Sequence, residues 1–225
     1  MVITMSVKSI MQNILHISIL KTIYINIKCF GLKGLRMPIL ISRRCRIKII
    51  GNIVIPRYTF GLVKMGFGGS PAVIENRYSR FSVAPKSTII FKGKIGVSAG
   101  SSICVDNGTL TIGDGFSTNK NCFIACSKGI TIGDNVTLGW NVNIRDNDGH
   151  RIIERSSGKI SESKEVQIGD HVWLCSYVNV LKGVSIPNES VVAYGSLVTT
   201  KFDKDNVLLG GTPAKILKDN ISWEY

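Results

Sequence analysis

The sequence predicts an all-β chain: a parallel β-helix of hexapeptide repeats with a protruding loop, an N-terminal cap segment and a short C-terminal helix. Three observations carry that prediction. From Ile168 to Val198 every sixth residue is aliphatic, at Ile168, Leu174, Val180, Ile186, Val192 and Val198. A helix of 3.6 residues per turn cannot hold every sixth residue on one face, and an isolated strand would alternate with period two. A second aliphatic position recurs four residues into the repeat, at Val172, Val178 and Val184. The same phase runs upstream through Ile132, Leu138 and Ile144, and the tripeptide Ile-Gly-Asp recurs at 112–114, 132–134 and 168–170. Ile132 and Ile168 are 36 residues apart, six hexads, so the phase survives the intervening interruption. Short rungs joined by turns and stacked into a prism explain all three, with every sixth side chain pointing at the axis. A β-sandwich would need the spacing to be coincidental.

Composition sets the outer bounds. A chain of 225 residues can bury one substantial core, and a repeat array of that size needs no second domain. The 23 glycines suit many tight turns. No run of 18 apolar residues exists, so no ordinary membrane span is expected. Cys29, Cys45, Cys104, Cys122, Cys126 and Cys175 form no CxxC pair and read as free thiols of a reducing cytosol. No histidine lies near Cys122 and Cys126, and no metal site is expected there.

Charge is uneven. The total is 28 basic against 15 acidic residues, yet no Asp or Glu precedes Glu75. Arg43, Arg44, Arg46 and Lys48 form the densest basic cluster. Such a segment is either a solvated face or a surface for anionic lipid headgroups or a phosphorylated, lipid-linked glycan carrier. No interleaved aromatic platform accompanies it, so nucleic acid is not an expected partner.

In chain order, residues 1–58 form a basic, apolar leader or cap. Residues 9–28 are rich in Ile and Leu but broken by polar residues, which fits a helix on the end of the prism or an interfacial helix. The polar breaks and the lack of an A-x-A site argue against a signal peptide. Short β-rich segments follow Pro38, near 47–50 and 53–55. Residues 58–94 read as imperfect coils, with Gly66, Gly68 and Gly69 at turns. The β-helix domain is assigned to 59–202, with regular rungs from Ile95. The tail, 203–225, holds a Gly210-Gly211-Thr212-Pro213 turn and a short helix at Ala214–Asp219.

The interruption at 145–167 is polar and projects from the prism as a loop, where functional groups concentrate. It opens on Asp146-Asn147-Asp148-Gly149-His150. A carboxylate can fix one imidazole nitrogen and raise the basicity of the other, which is what a general base needs. An exposed turn with an incidental histidine is the alternative.

These features resemble the hexapeptide-repeat, left-handed β-helix acyltransferases, and in particular the O-acetyltransferases of bacterial capsular and surface-polysaccharide clusters. The resemblance spans roughly residues 95–218. It is carried by the isoleucine-led hexads, by Asp146–His150, by Ile168-Gly169-Asp170-His171-Val172-Trp173 and by Gly211-Thr212-Pro213-Ala214-Lys215. It implies a left-handed winding, against the usual crossover rule. It further implies a cytoplasmic homotrimer, associated or not with the inner face of the membrane, with acetyl-coenzyme A between neighbouring subunits and a sugar or glycan acceptor. His150 matches the family's catalytic base, with Asp148 and then Asp146 orienting it. The Ser176 backbone N–H matches the oxyanion donor. Trp173, Tyr194, Gly195 and Ser196 would line the pantetheine arm, and Lys201 and Lys215 would meet the coenzyme's phosphates.

Cys175 stands where the family commonly has Gly, Tyr194 where it has a small residue, and Thr199-Thr200-Lys201 sits one residue out of register. Three readings stay open beside O-acetylation: N-acetylation of an amino sugar, a non-catalytic scaffold, and a zinc hydratase of the same shape. The hydratase needs three histidine ligands, and His16 lies in the leader.

Overall fold

The computed structural model describes residues 16–70, 73 and 78–224. A helix, α1 (Ile19–Phe30), and a 3₁₀ turn (Gly31–Arg36) precede a stack of three-stranded coils. The first three coils are β1 (Ile39–Ile41), β2 (Cys45–Ile49) and β3 (Asn52–Val54), then β4 (Val63–Met65), β5 (Ser79–Val83) and β6 (Thr88–Phe91), then β7 (Ile95–Val97), β8 (Ser102–Val105) and β9 (Thr109–Ile112). The next three are β10 (Phe116–Thr118), β11 (Phe123–Cys126) and β12 (Gly129–Ile132), then β13 (Thr137–Leu138), β14 (Asn143–Arg145) and β15 (Val166–Ile168), then β16 (Trp173–Leu174), β17 (Asn179–Val180) and β18 (Ser185–Ile186). A seventh, shorter coil has β19 (Val191–Val192) and β20 (Leu197–Val198), and β21 (Leu208–Gly211) and β22 (Ala214–Lys218) close the chain.

The first, second and third strands of successive coils stack into three separate faces, of nine, seven and six strands. Every pairing within the coils is parallel, and the register is the one the hexads demand. Ile132 pairs with Ile168, Leu138 with Leu174 and Ile144 with Val180. All six block leaders from Ile168 to Val198 are buried, as are Val172, Val178 and Val184. Both repeat positions therefore face the axis, and each buried aliphatic side chain contributes about 1.5–3 kcal/mol.

The Ile-Gly-Asp tripeptide has a physical cause at the corner between the third and first faces. Asp134 accepts the Asp114 N–H at 2.7 Å, Asp170 accepts that of Asp134 at 2.7 Å, and Asn188 accepts that of Asp170 at 2.8 Å. A Cβ at Gly113, Gly133 or Gly169 would lie about 2.4, 2.3 or 2.5 Å from the side-chain oxygen of the next coil. Each Asp caps the turn below it, and each Gly leaves it room.

Two differences from the sequence reading stand out. Coils begin at Ile39, within the segment read as a cap, because the long connection between Met65 and Ser79 breaks the spacing that would have revealed them. The C-terminal helix expected at Ala214–Asp219 is instead a strand: β22 turns back antiparallel on β21. Residues 215–218 are all exposed, so a helix there would have no face to bury, whereas the edge of β21 offers backbone partners. At the other end, α1 realises the expected helix from Ile19 onward; residues 9–15 of that expectation lie outside the described residues.

Candidate active site

His150 sits on the loop that leaves the corner between the second and third faces. β14 ends at Arg145 and β15 begins at Val166, so the insertion lies where the interrupted phase placed it. Its neck is closed by the Lys164 N–H on the Asp146 carbonyl at 2.9 Å, and its outer part is a small hairpin in which Ile153 bridges Ile160. His150 is exposed at the rim of a polar concavity of about 260 Å³, shared with Ser127, Asp148, Arg151, Ser161 and Ser163. Its imidazole makes no hydrogen bond among the described residues.

The two carboxylates expected to orient it point elsewhere. Asp146 is fully buried and accepts the N–H groups of Ser127 at 2.8 Å, Lys128 at 2.7 Å and Gly129 at 2.8 Å. It holds the corner of the coil below, where three backbone donors converge. Asp148 accepts hydrogen bonds from Lys182 and, at 2.8 Å, from Ser161. Those two groups hold its carboxyl below the usual carboxylate range. Lys182 stands at the same corner one coil above and also donates to the Glu162 carbonyl at 3.1 Å. The two aspartates thus clamp the neck of the loop to the coils on either side, and neither hydrogen-bonds the imidazole.

Ser176 lies at a different corner, between the first and second faces. Its Oγ accepts the Trp140 N–H at 3.0 Å, and its carbonyl accepts the Gly195 N–H at 3.0 Å. Its own N–H donates no hydrogen bond among the described residues. The cause is local. Ser176 caps the turn below it, but the residue above is Tyr194, whose exposed side chain cannot return the cap. Trp140 buries its Nε1–H without a partner among the described residues at the same corner. Tyr177 and Tyr194 form an aromatic pair with centroids 5.3 Å apart, and the space over Gly195 is open. Ser196 is buried, its Oγ donating to the Ala193 carbonyl at 2.7 Å.

Trp173 projects from the first face, three residues ahead of Ser176. It packs against Trp223 at 5.8 Å, and Trp223 stacks on His171 at 4.2 Å. His171 is half-buried and holds Glu189 through Nδ1 at 2.5 Å. Lys201 is exposed beyond the second–third corner, bridging Ser185, and Lys215 is exposed on β22. The residues expected to act together therefore fall in separate places. Trp173, Ser176 and Tyr194–Ser196 share one edge of the prism, His150 and Lys201 lie across the second face, and Lys215 stands on the terminal hairpin. Sequence reasoning missed Trp140 and Lys182. Each has a phase signal, because Trp140 precedes Ser176, and Asp146 precedes Lys182, by the same 36 residues.

The thiols are packing groups. Cys122 and Cys126 direct Sγ to the carbonyls of Gly139 at 3.0 Å and Thr109 at 3.4 Å, and burial pushes both thiols up to about 12.

No protein-family model matches the chain. Over 110 residues it is 36% identical to a galactoside O-acetyltransferase of Escherichia coli (strain K12), covering 48% of this chain and 53% of that protein. Over 133 residues it is 35% identical to a polysialic acid O-acetyltransferase of Escherichia coli O1:K1 / APEC, covering 59% of this chain and 41% of that protein. The chain thus spans about half the length of these relatives. Among solved structures, the N-acyltransferase AntD from Bacillus cereus, in complex with dTDP and 3-hydroxybutyryl-CoA, superposes with a TM-score of 0.50 at 15% identity, over 81% of this chain and 80% of that one. The three-faced coils, their register and this superposition define the fold as a left-handed parallel β-helix. Over about half its length, through the hexads and the interrupting loop, the chain is similar to these O-acetyltransferases.

Proposed function

We propose that the protein transfers an acetyl group from acetyl-coenzyme A to a hydroxyl of a sugar, in a bacterial surface polysaccharide or its precursor. The observation that carries the reading is the unpaired Ser176 N–H, a donor left open at an accessible corner, paired with a histidine-bearing loop one corner away. A second copy would supply the missing half: the Ser176 edge of one subunit meets the His150 loop of its neighbour. The hairpin beyond His150 exposes Ile152, Ile153 and Ile160, which suits it to such a contact. A cyclic homotrimer satisfies this arrangement at three equivalent sites.

The residues at the Ser176 edge fit an extended thioester arm. Gly195 leaves its backbone open, Tyr177 and Tyr194 offer an aromatic wall, and the exposed Lys201 and Lys215 suit phosphates. His150 accepts the proton of the acceptor hydroxyl as that oxygen attacks the acetyl carbonyl. The neighbour's Ser176 N–H donates to the carbonyl oxygen as negative charge develops there, an interaction worth about 10²–10³ in rate. The imidazolium then returns its proton to the departing thiolate. Asp146 and Asp148 act at a distance, by holding the loop that carries His150. Acetyl-coenzyme A is a cytosolic metabolite, and six unpaired cysteines agree with a reducing compartment.

Thiol release from acetyl-coenzyme A, measured against a panel of sugars and amino sugars, tests this. Acceptor-dependent release that collapses in His150→Ala is the expected result, and the best acceptor decides between oxygen and nitrogen. Undiminished release in His150→Ala would remove the histidine from the chemistry.

A further inference from the structure

The N-terminal cap is built with its polar side inward. The fully buried positions of α1 include Thr22 and Asn26 beside Ile25. Thr22 Oγ1 accepts the Ile41 N–H at 3.1 Å. Asn26 accepts the Ile39 N–H at 3.1 Å and donates to the Ile39 carbonyl at 2.7 Å. These bonds satisfy β1, which has no coil beneath it among the described residues and would otherwise present an open edge. The polar side chains are consumed by the sheet, so the apolar ones face out. Ile19, Leu20, Ile23, Tyr24 and Ile27 are exposed, Leu20 at 83%. The 3₁₀ turn folds tightly onto α1, since a Cβ on Gly34 would lie 2.2 Å from the Asn26 carbonyl oxygen, and it adds Leu32 at 84% and Leu35 at 64%. A helix on a globular surface ordinarily buries its apolar stripe, and a continuous exposed ridge marks a docking surface.

The charge around the ridge identifies the occupant. Lys33, Arg36, Arg43, Arg46 and Lys48 are exposed, and no acid precedes Glu75 in the sequence. A second copy docked cap to cap would press two basic rims together without a countercharge. An anionic bilayer surface meets both features: its acyl boundary takes the ridge and its phosphates take the rim. No helix among the described residues is long and apolar enough to cross a membrane, and α1, at 12 residues, is of a length to lie in the interface.

We infer that α1 and the 3₁₀ turn form a membrane-docking cap that seats the end of the prism on an anionic lipid surface. On the trimer reading above, threefold symmetry puts all three caps at one level, so that one assembly engages the bilayer three times. The surface itself belongs to the single chain and does not depend on that reading.

The test is co-sedimentation of the full chain with vesicles of phosphatidylcholine alone or with added phosphatidylglycerol, at low and high salt. The probes are Leu20→Glu combined with Leu32→Glu, with Leu217→Glu, an exposed leucine on the terminal hairpin, as control. Wild type and the control are expected to bind the phosphatidylglycerol vesicles, more weakly at high salt, and the double variant about tenfold less or not at all. Thiol release toward a soluble acceptor stays unchanged in the double variant, so failure of docking and failure of the catalytic reading are read separately. Three results would overturn the inference: no binding by wild type, equal binding by the double variant, or a larger wild-type oligomer that the double variant splits.

Discussion

Replacing Asp146 by Asn separates a structural aspartate from a catalytic one. Both carboxylate oxygens are in use. Oδ2 takes the N–H groups of Ser127, Lys128 and Gly129, and Oδ1 takes a second bond from Ser127 at 2.8 Å and one from the Asn147 amide at 3.0 Å. An Asn that keeps its oxygen at Oδ2 retains three bonds but loses their charge assistance, and it sets its NH₂ against two donors. Hydrogen bonds to a charged group contribute about 1.5–3 kcal/mol each and neutral ones about half that, so the net destabilisation is about 2–4 kcal/mol. For a chain of this size that lowers Tm by about 5–15 °C. Thermal unfolding followed by circular dichroism gives the first number. Thiol release well below Tm gives the second, and it should fall only a fewfold because the His150 loop keeps its Lys182 clamp. An unchanged Tm with a fall of a hundredfold or more in kcat would refute the argument and return Asp146 to the role of orienting the base.

Three further outcomes are expected. Lys182→Met frees Asp148 and loosens the loop neck, lowering kcat/KM about tenfold with under about 1 kcal/mol lost in stability, since the pair is partly solvated. Because the Asp148 carboxyl is held below its usual range, the clamp's contribution is complete above the ordinary carboxylate pKa of about 3.9 and is lost only as pH falls through the lower folded value. The Tm difference between wild type and Lys182→Met should therefore be flat from about pH 5 to 9 and close in stronger acid, which melting curves across pH would check. Ser176→Ala keeps the backbone N–H and so retains activity within a fewfold, while losing the cap on the Trp140 N–H lowers stability by about 1 kcal/mol in a urea titration. Burial pushes the thiols of Cys45, Cys122 and Cys126 up to about 12, so a thiol-disulfide reagent at neutral pH should leave these three untouched until the protein is unfolded.

The fold was legible because one repeat satisfies several constraints at once. The hexad leaders, the residues four positions on and the Gly-Asp corner all return with the same period, and each is fixed by contact with its own equivalent one coil away. The cap end was less legible. There the constraint is a single unpaired edge, met by Thr22 and Asn26, and polar residues within an apolar stretch read as interruptions when they are in fact the buried face. At the candidate site the projecting loop was legible, but the hydrogen-bond partners of its aspartates were not. Asp146 and Asp148 adjoin His150 in sequence, but in a β-helix the neighbours that matter lie one coil up or down, so their partners are Ser127–Gly129 and Lys182. The helix expected at 214–219 failed for a related reason, since a single turn has no stability of its own and the nearest unpaired edge decides the outcome.

On the proposed mechanism, that same geometry calls for an oligomer. His150 and Ser176 stand at corners separated by the whole second face, so a chain acting alone cannot bring the proposed base and the proposed oxyanion donor together. The proposed site is therefore shared, and sharing predicts complementation. A His150→Ala chain lacks the base but keeps the Ser176 edge. A Ser176→Pro chain lacks the N–H but keeps the loop. Each trimer made of one kind is inactive. In a mixed ring, whichever chain is in the minority, one of the three junctions joins an intact loop to an intact edge. Random assembly from equal amounts puts three quarters of the trimers in the mixed class, so the mixture should recover about a quarter of wild-type activity after co-refolding. Melting curves of the two variants confirm that each is folded before mixing. A mixture that stays at the level of the separate variants would mean that base and donor belong to one chain, and the site would have to be rebuilt around a single corner.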